Sequence, residues 1–246
     1  MSESTPQVPR HSTTVLLVRD GAAGLEVLMV IRNEKAYLAS AMVFPGGVLE
    51  AEDADEAWLD LVTGAEALDV AERARRIGGF RELYEETGLL LLAAGGDDPG
   101  ALAEPASFIE VVARSGGRLD LSAMAPFAHW ITPVGAPKRF DTHFRLCWMK
   151  TESVAVSDGR ETVAAEWLRP AEAIELGLSG QRILLPPTRC QLDLLAQSGT
   201  VGEAVTAARA RKISPVTPSF TRKPEGTYIT IPAEAGYPVL EHIVAR

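Results

Sequence analysis

The segment Arg81-Glu82-Leu83-Tyr84-Glu85-Glu86-Thr87-Gly88-Leu89 constrains this chain more than any other. Glu82, Glu85 and Glu86 stand at i, i+3 and i+4, so on a helix they share one face. Like charges at that spacing destabilise a bare helix. A face of carboxylate oxygens is also what a hard divalent cation such as Mg²⁺ takes as ligands. The segment therefore predicts a helix whose internal repulsion a cation would relieve, stopped by Gly88.

Reading outward, the helical pattern runs from Ala65 to Thr87 and is rich in Ala, Glu, Arg and Leu. Gly78-Gly79 interrupts it, at a cost of about 1 kcal/mol each relative to alanine. The pair lies N-terminal to the carboxylates, so it reads as close packing against a sheet rather than as room for a ligand. Upstream, Thr13–Arg19 and Leu25–Arg32 predict a hairpin around the turn Gly21–Gly24. Asn33–Ala41 reads as a loop, after which Met42-Val43-Phe44 leads into Pro45-Gly46-Gly47, where glycine permits positive φ and close approach of a ligand. Ala54–Val62 is acidic and helical in pattern. Downstream come a Gly/Asp loop at 94–100, a helix at Pro105–Arg114, and strands at Phe127–Pro133, Arg139–Lys150 and Thr162–Leu168. Helices at Pro170–Leu176, Pro187–Gln197 and Gly202–Lys212 follow, then a strand at Thr227–Ile231 within a Pro-rich stretch. Strands interspersed with helices predict an α/β layered domain. The organisation expected is a tail at 1–11, a domain at 12–212 and a C-terminal extension at 213–246.

The chain has 246 residues and a net charge of −9, which argues against a broad nucleic-acid or anionic-membrane surface. Met1–Ser12 is polar without an apolar signal core, and no apolar run approaches the roughly 20 residues a membrane span needs. Cys147 and Cys190 are too few for a disulfide framework and read as reduced, buried thiols. A cytoplasmic enzyme is the expectation. The histidines at 11, 129, 143 and 242 lack a spacing such as H-x3-H and read as structural or surface groups.

Phe44-Pro45-Gly46-Gly47 and Arg81–Leu89 together resemble the Nudix hydrolase signature, G-x5-E-x7-R-E-U-x-E-E-x-G-U, with U a bulky aliphatic. The second half matches at every specified position. In the first half Asp53 follows Gly47 where the signature has Glu. Asp53 precedes Arg81 by 28 positions where the signature has 8, so the box reads as split by an insertion of about 20 residues, placed at about 54–73. Glu50, Glu52 and Glu72 compete with Asp53 for the role of the missing carboxylate. Further stretches resemble the branch containing the peroxisomal coenzyme A diphosphatases: Trp130-Ile131-Thr132-Pro133, Lys138-Arg139-Phe140-Asp141-Thr142, Glu166-Trp167-Leu168 and Leu185-Pro186-Pro187-Thr188.

The resemblance implies a Nudix α/β/α sandwich with a mixed sheet, a helical insertion in the box and C-terminal helices. It implies that Glu82, Glu85 and Glu86 coordinate Mg²⁺ or Mn²⁺, with a carbonyl of Gly46 or Gly47 adding an oxygen. Arg81 would hold a carboxylate of its own helix in place. Glu161, with Glu166 as its rival, is the candidate for a further carboxylate from outside the box. Arg32, Phe44, Lys138 and Arg139 are the candidate substrate contacts. The expected reaction is hydrolysis of the diphosphate in a small-molecule nucleotide, a nucleoside diphosphate linked to X, with coenzyme A or acyl-CoA as first choice. ADP-ribose, a dinucleotide or a nucleotide sugar is the alternative, and a non-catalytic nucleotide-binding regulator the lesser one. A basic coenzyme A motif known from another Nudix branch is absent here: Arg32 is present, but Tyr37 and Ala41 stand near its other positions. The resemblance is compatible with a homodimer.

Overall fold

A computed structural model describes residues 7–33, 40–93, 96, 106–149 and 162–245. The organising strand is β1 (Arg10–Gly21), whose Val15-Leu16-Leu17-Val18 run is fully buried. A strand apolar on both faces must lie inside a sheet covered on both sides. One edge of β1 pairs in parallel with β8 (Phe140–Trp148). The other is shared between β4 (Gly46–Val48), opposite Ser12–Thr14, and β2 (Gly24–Arg32), opposite Val18–Gly21. β2 also pairs with β3 (Ala41–Val43) and with β9 (Thr162–Leu168), while β8 pairs with β7 (Met124–Ile131). The short strands β10 (Ile183–Leu184) and β11 (Pro215–Val216) close the edges beside β3 and β7.

Alternation along β1 divides the core. Val15 and Leu17 face Ile77, Phe80 and Leu83 of α1 (Val70–Thr87), together with Phe108 and Val112 of α2 (Phe108–Ser115). Leu16 and Val18 face Ala173 of α3 (Pro170–Leu178), Leu192 of α4 (Pro186–Leu195) and Ala204 of α5 (Val201–Ala210). Each fully buried leucine contributes about 1.5–3 kcal/mol. The result is the expected mixed sheet between two helical layers.

Four features differ from the sequence expectations. Helix α1 begins at Val70 rather than Ala65, because the Asp69 side chain accepts the Glu72 N–H and caps it there. The acidic stretch at 54–62 is not an α-helix. It forms two 3₁₀ turns, Ala51–Ala54 and Glu56–Asp60, before β5 (Val62–Thr63), which pairs with β6 (Leu119–Asp120). Asp53 and Asp55 take the backbone N–H groups of Glu50 and Ala57, which diverts the chain from helix. The Pro-rich stretch after Ile213 is built into the body. It makes a small sheet of β12 (Ser219–Lys223), β13 (Gly226–Thr230) and β14 (Glu241–Ala245). Ile229, Ile231 and Tyr237 join the α3–α5 core, and the Tyr237 hydroxyl accepts from Trp130 Nε1 at 2.7 Å and donates to Gln191 at 3.0 Å. At the other end, β1 starts at Arg10, inside the stretch read as a tail.

Candidate active site

The turn at Pro45-Gly46-Gly47 joins β3 to β4 and is pressed against β1. A Cβ on Gly46 would lie 2.5 Å from the Thr13 carbonyl oxygen and 2.7 Å from Thr14 Cα, so only glycine fits. A Cβ on Gly47 would run into the Glu82 carboxylate, and the Gly46 N–H donates to Glu86 Oε2 at 3.1 Å. The two halves of the split motif therefore meet directly.

Arg81 organises the carboxylates. Its Nε and Nη2 grip Asp53 at 2.9 and 3.1 Å, Nη1 donates to Glu82 at 3.0 Å and Glu85 at 2.9 Å, and Nη2 also reaches the Val48 carbonyl at 3.0 Å. All the N–H donors of the guanidinium fork are thereby used. Burial works against its charge, but Asp53, Glu82 and Glu85 outweigh burial and hold the pKa above its ordinary value. Asp53 is thus the carboxylate that faces the box arginine. It is 1% exposed, and a Cβ on Gly78 would come within 2.7 Å of its Oδ2, so Gly78 makes room for it. Gly79 faces the sheet, where a Cβ would meet Val15 at 3.1 Å and Met124 at 3.2 Å. The glycine pair is a packing feature on both counts. Of the competitors, Glu72 pairs with Arg75, Arg76 and Arg145 instead.

Burial raises the Glu85 pKa. Arg81 opposes that shift, and the charges of Glu50 and Asp53 add to it. Glu86 is 3% exposed, lies 3.9 Å from Arg32 Nη2, and its backbone carbonyl accepts the Thr162 hydroxyl at 3.0 Å. Glu50, Glu82, Glu85 and Glu86 line one end of a cleft of about 1490 Å³, with Phe44, Gly46 and Gly47 beside them. Arg10, Arg32 and Lys138 supply cations to the same cleft, and Trp130, Phe140 and Phe220 supply apolar wall. This volume exceeds the roughly 300–1,000 Å³ of a pocket for a drug-sized ligand.

Two sequence candidates do not reach the cleft. The Arg139 guanidinium donates to the Thr132 carbonyl at 3.0 Å and the Gln7 carbonyl at 2.7 Å, which commits it to the hairpin and the N-terminal segment. Glu166 pairs with Arg182 at 3.2 Å. Glu161 lies outside the described residues. Arg10 and Glu50 were not singled out as lining groups, although both flank motif strands. A group of histidines was also missed as a unit: His129 and His143 stack at 4.0 Å with Asp141 between their nitrogens. Burial, with the charges of His129, Arg75 and Arg145, pushes His143 down to about 3. Their signal is a period of two along predicted strands, whereas the sequence reading sought helical spacing.

The family model described as the NUDT19 Nudix domain matches residues 65–195, more than half of the chain. That match contains the carboxylate helix and begins after the Pro45–Gly47 turn. The acyl-coenzyme A diphosphatase NUDT19 of Gallus gallus is 29% identical over 74% of this chain and 64% of its own length. The Homo sapiens protein of that name is 28% identical over 74% and 63%. This chain thus spans somewhat less than two thirds of the curated relatives it matches. A crystal structure of a Nudix hydrolase from Alicyclobacillus acidocaldarius superposes with a TM-score of 0.67 at 26% identity, covering 85% of this chain and 99% of that one. A helix of box carboxylates meeting its glycine turn across an insertion, and a family match over more than half of the sequence, place this chain in the NUDT19 Nudix domain family.

Proposed function

We propose that this protein is a Mg²⁺- or Mn²⁺-dependent hydrolase that cleaves the diphosphate of coenzyme A or an acyl-CoA. The observation that carries the reading is the convergence of Glu50, Glu82, Glu85 and Glu86 on one end of a large cleft. The donor set suits a hard cation: it is all oxygen, and the buried guanidinium of Arg81 is occupied by Asp53. Burial, and to a smaller degree the charges of Glu50 and Asp53, raise the Glu85 carboxyl, a cost that a bound cation would offset. Glu82, Glu85 and Glu86 would hold the ion, with a Gly46 or Gly47 carbonyl as a further oxygen donor. The ion supplies charge neutralisation on the diphosphate and acidifies a water.

The chain's own groups do the rest. Asp53 fixes Arg81, and Arg81 fixes the Glu82 and Glu85 carboxylates. Arg32 and Lys138, with Arg10, face the phosphates from the same cleft. One carboxylate of the helix takes the proton from the attacking water. Cleavage of coenzyme A between its phosphorus atoms yields 3′,5′-ADP and 4′-phosphopantetheine. The relatives' name supports this substrate. So does the size of the cleft, about 1490 Å³, which Trp130, Phe140 and Phe220 line together with the carboxylates.

The test is a panel of coenzyme A, acyl-CoA, ADP-ribose, a dinucleoside polyphosphate and a nucleotide sugar, with and without Mg²⁺ or Mn²⁺, read by product mass. Metal-dependent release of 3′,5′-ADP is expected. Cleavage of ADP-ribose with coenzyme A untouched would replace the substrate. Binding without turnover of any member would replace the enzyme by a nucleotide-binding regulator.

A further inference from the structure

The reverse face of the cleft floor carries a cluster that the carboxylate chemistry does not use. His129 on β7 and His143 on β8 are directly opposite in the antiparallel register, and Asp141 lies two residues before His143 on the same face. The imidazole rings stack with centroids 4.0 Å apart and 17° between their planes. Asp141 Oδ1 is 2.5 Å from His129 Nε2 and 3.7 Å from His143 Nε2. One ligand atom from each of the three lies within 4.8 Å of the others. His11 neighbours Asp141 across the parallel β1–β8 register, with Nδ1 3.4 Å from Asp141 Oδ2. Phe140, Thr142 and Phe144, which alternate with these residues, line the cleft on the opposite face.

We infer that His129, Asp141 and His143 form a second metal site, separate from the carboxylates of α1, which takes a divalent ion of the Zn²⁺ class. Imidazole nitrogen selects Zn²⁺, Co²⁺, Ni²⁺ or Cu²⁺ over Mg²⁺, and two histidines with one carboxylate make a recognised zinc donor set. The backbone ladders of β1, β7 and β8 fix the ligands, so little ordering is needed on binding. The three side chains are 17%, 20% and 18% exposed, so an ion can reach them. His11 is 67% exposed and free to swing in as the fourth ligand. Arg75 and Arg145 lie near His143, but both are bonded to Glu72. Their charge weakens the site without closing it.

Co²⁺ titration of the full chain, with excess Mg²⁺ to fill oxygen-ligated sites, tests this without reference to turnover. The expected result is the intense visible absorption of a four-coordinate, nitrogen-ligated Co²⁺, displaced by Zn²⁺ and lost in His143→Ala. His11→Ala should weaken binding without abolishing it. Zn²⁺ at about 100-fold over its Kd should raise Tm by roughly 5–10 °C. Both signals should persist in Glu85→Gln/Glu86→Gln. If His143→Ala does not fold, His129→Gln and Asp141→Asn carry the same test. A weak six-coordinate spectrum only, a signal that survives these variants, a signal lost with the α1 glutamates, or no binding tighter than about 1 mM would each overturn the site.

Discussion

The two halves of α1 are electrostatic mirror images. In the N-terminal half one acid gathers three guanidiniums: Glu72 bonds Arg75 at 3.3 Å, Arg76 at 2.9 Å and Arg145 at 2.5 Å. In the C-terminal half one guanidinium gathers three acids: Arg81 bonds Asp53, Glu82 and Glu85 at 2.9–3.0 Å at closest. The surplus differs in what it meets. Some spare N–H donors around the first cluster end on backbone carbonyls, with Arg76 on Leu121 and the neighbouring Arg73 on Ala54, while Nε of Arg145 and of Arg73 is buried without a partner among the described residues. The surplus oxygens of the second cluster face a cleft. The excess positive charge is thus taken up inside the protein, in part by carbonyls of the fold. On the carboxylate side backbone N–H groups take one oxygen each of Asp53 and Glu86, and the glutamates that line the cleft still outnumber the guanidiniums of Arg81 and Arg32 that pair with them among the described residues, which points to a ligand.

The largest effect should come from removing that surplus. Glu85→Gln/Glu86→Gln takes two charges from the cleft end and leaves their shape. The rate of diphosphate cleavage is expected to fall about a thousandfold, equivalent to roughly 4 kcal/mol of lost transition-state stabilisation. Circular dichroism should be unchanged, and the rise in Tm that Mg²⁺ gives the native chain should vanish. Unchanged turnover would remove these residues from the metal site.

The centres of the two clusters give the next contrast. Arg81→Lys keeps a charge but loses the fork that holds Asp53 and both glutamates. Activity should drop about 10–100-fold, as for groups that orient metal ligands. Glu72→Gln strips the partner from Arg145, which is 3% exposed and whose pKa burial lowers to about 10, still charged at neutral pH. Stability should fall by about 1–3 kcal/mol in denaturant titration with kcat unchanged. Equal loss of kcat in the two variants would mean that α1 works as one unit and that the mirror comparison fails.

Much of this was legible in the sequence because it rests on short-range pattern. Glu82, Glu85 and Glu86 needed only the helical period, and β1 only its apolar run. The fit of Pro45-Gly46-Gly47 to a carboxylate helix was legible as a split motif. Its physical cause, the absence of a Cβ at Gly46 and Gly47, needed coordinates. Spacing from Gly47 pointed to Asp53, but the insertion after it removed the register to Arg81 and left Glu50, Glu52 and Glu72 as rivals. Arg139 was indistinguishable from Lys138 until the position of Gln7 was known. The prolines after Ile213 exclude a long helix but do not show that Tyr237 reaches Trp130, 107 residues away in sequence.

The smallest expected effects lie at the two caps of α1. The Asp69 side chain accepts the Glu72 N–H at 2.7 Å, and Gly88 ends the helix at φ 68°, where an L side chain is strained. Asp69→Ala and Gly88→Ala should each cost about 1 kcal/mol, near 2–4 °C in Tm for a chain of this size. Their effect on catalysis should differ, because Gly88 stands two residues after Glu86 and Asp69 lies a full helix away. A strained Gly88→Ala terminus moves the last turn, on which Glu85 and Glu86 are carried, so kcat should fall a few-fold while Asp69→Ala leaves it unchanged. Matched stability losses with matched kcat would show that the last turn is positioned by the Arg81 network and not by its cap.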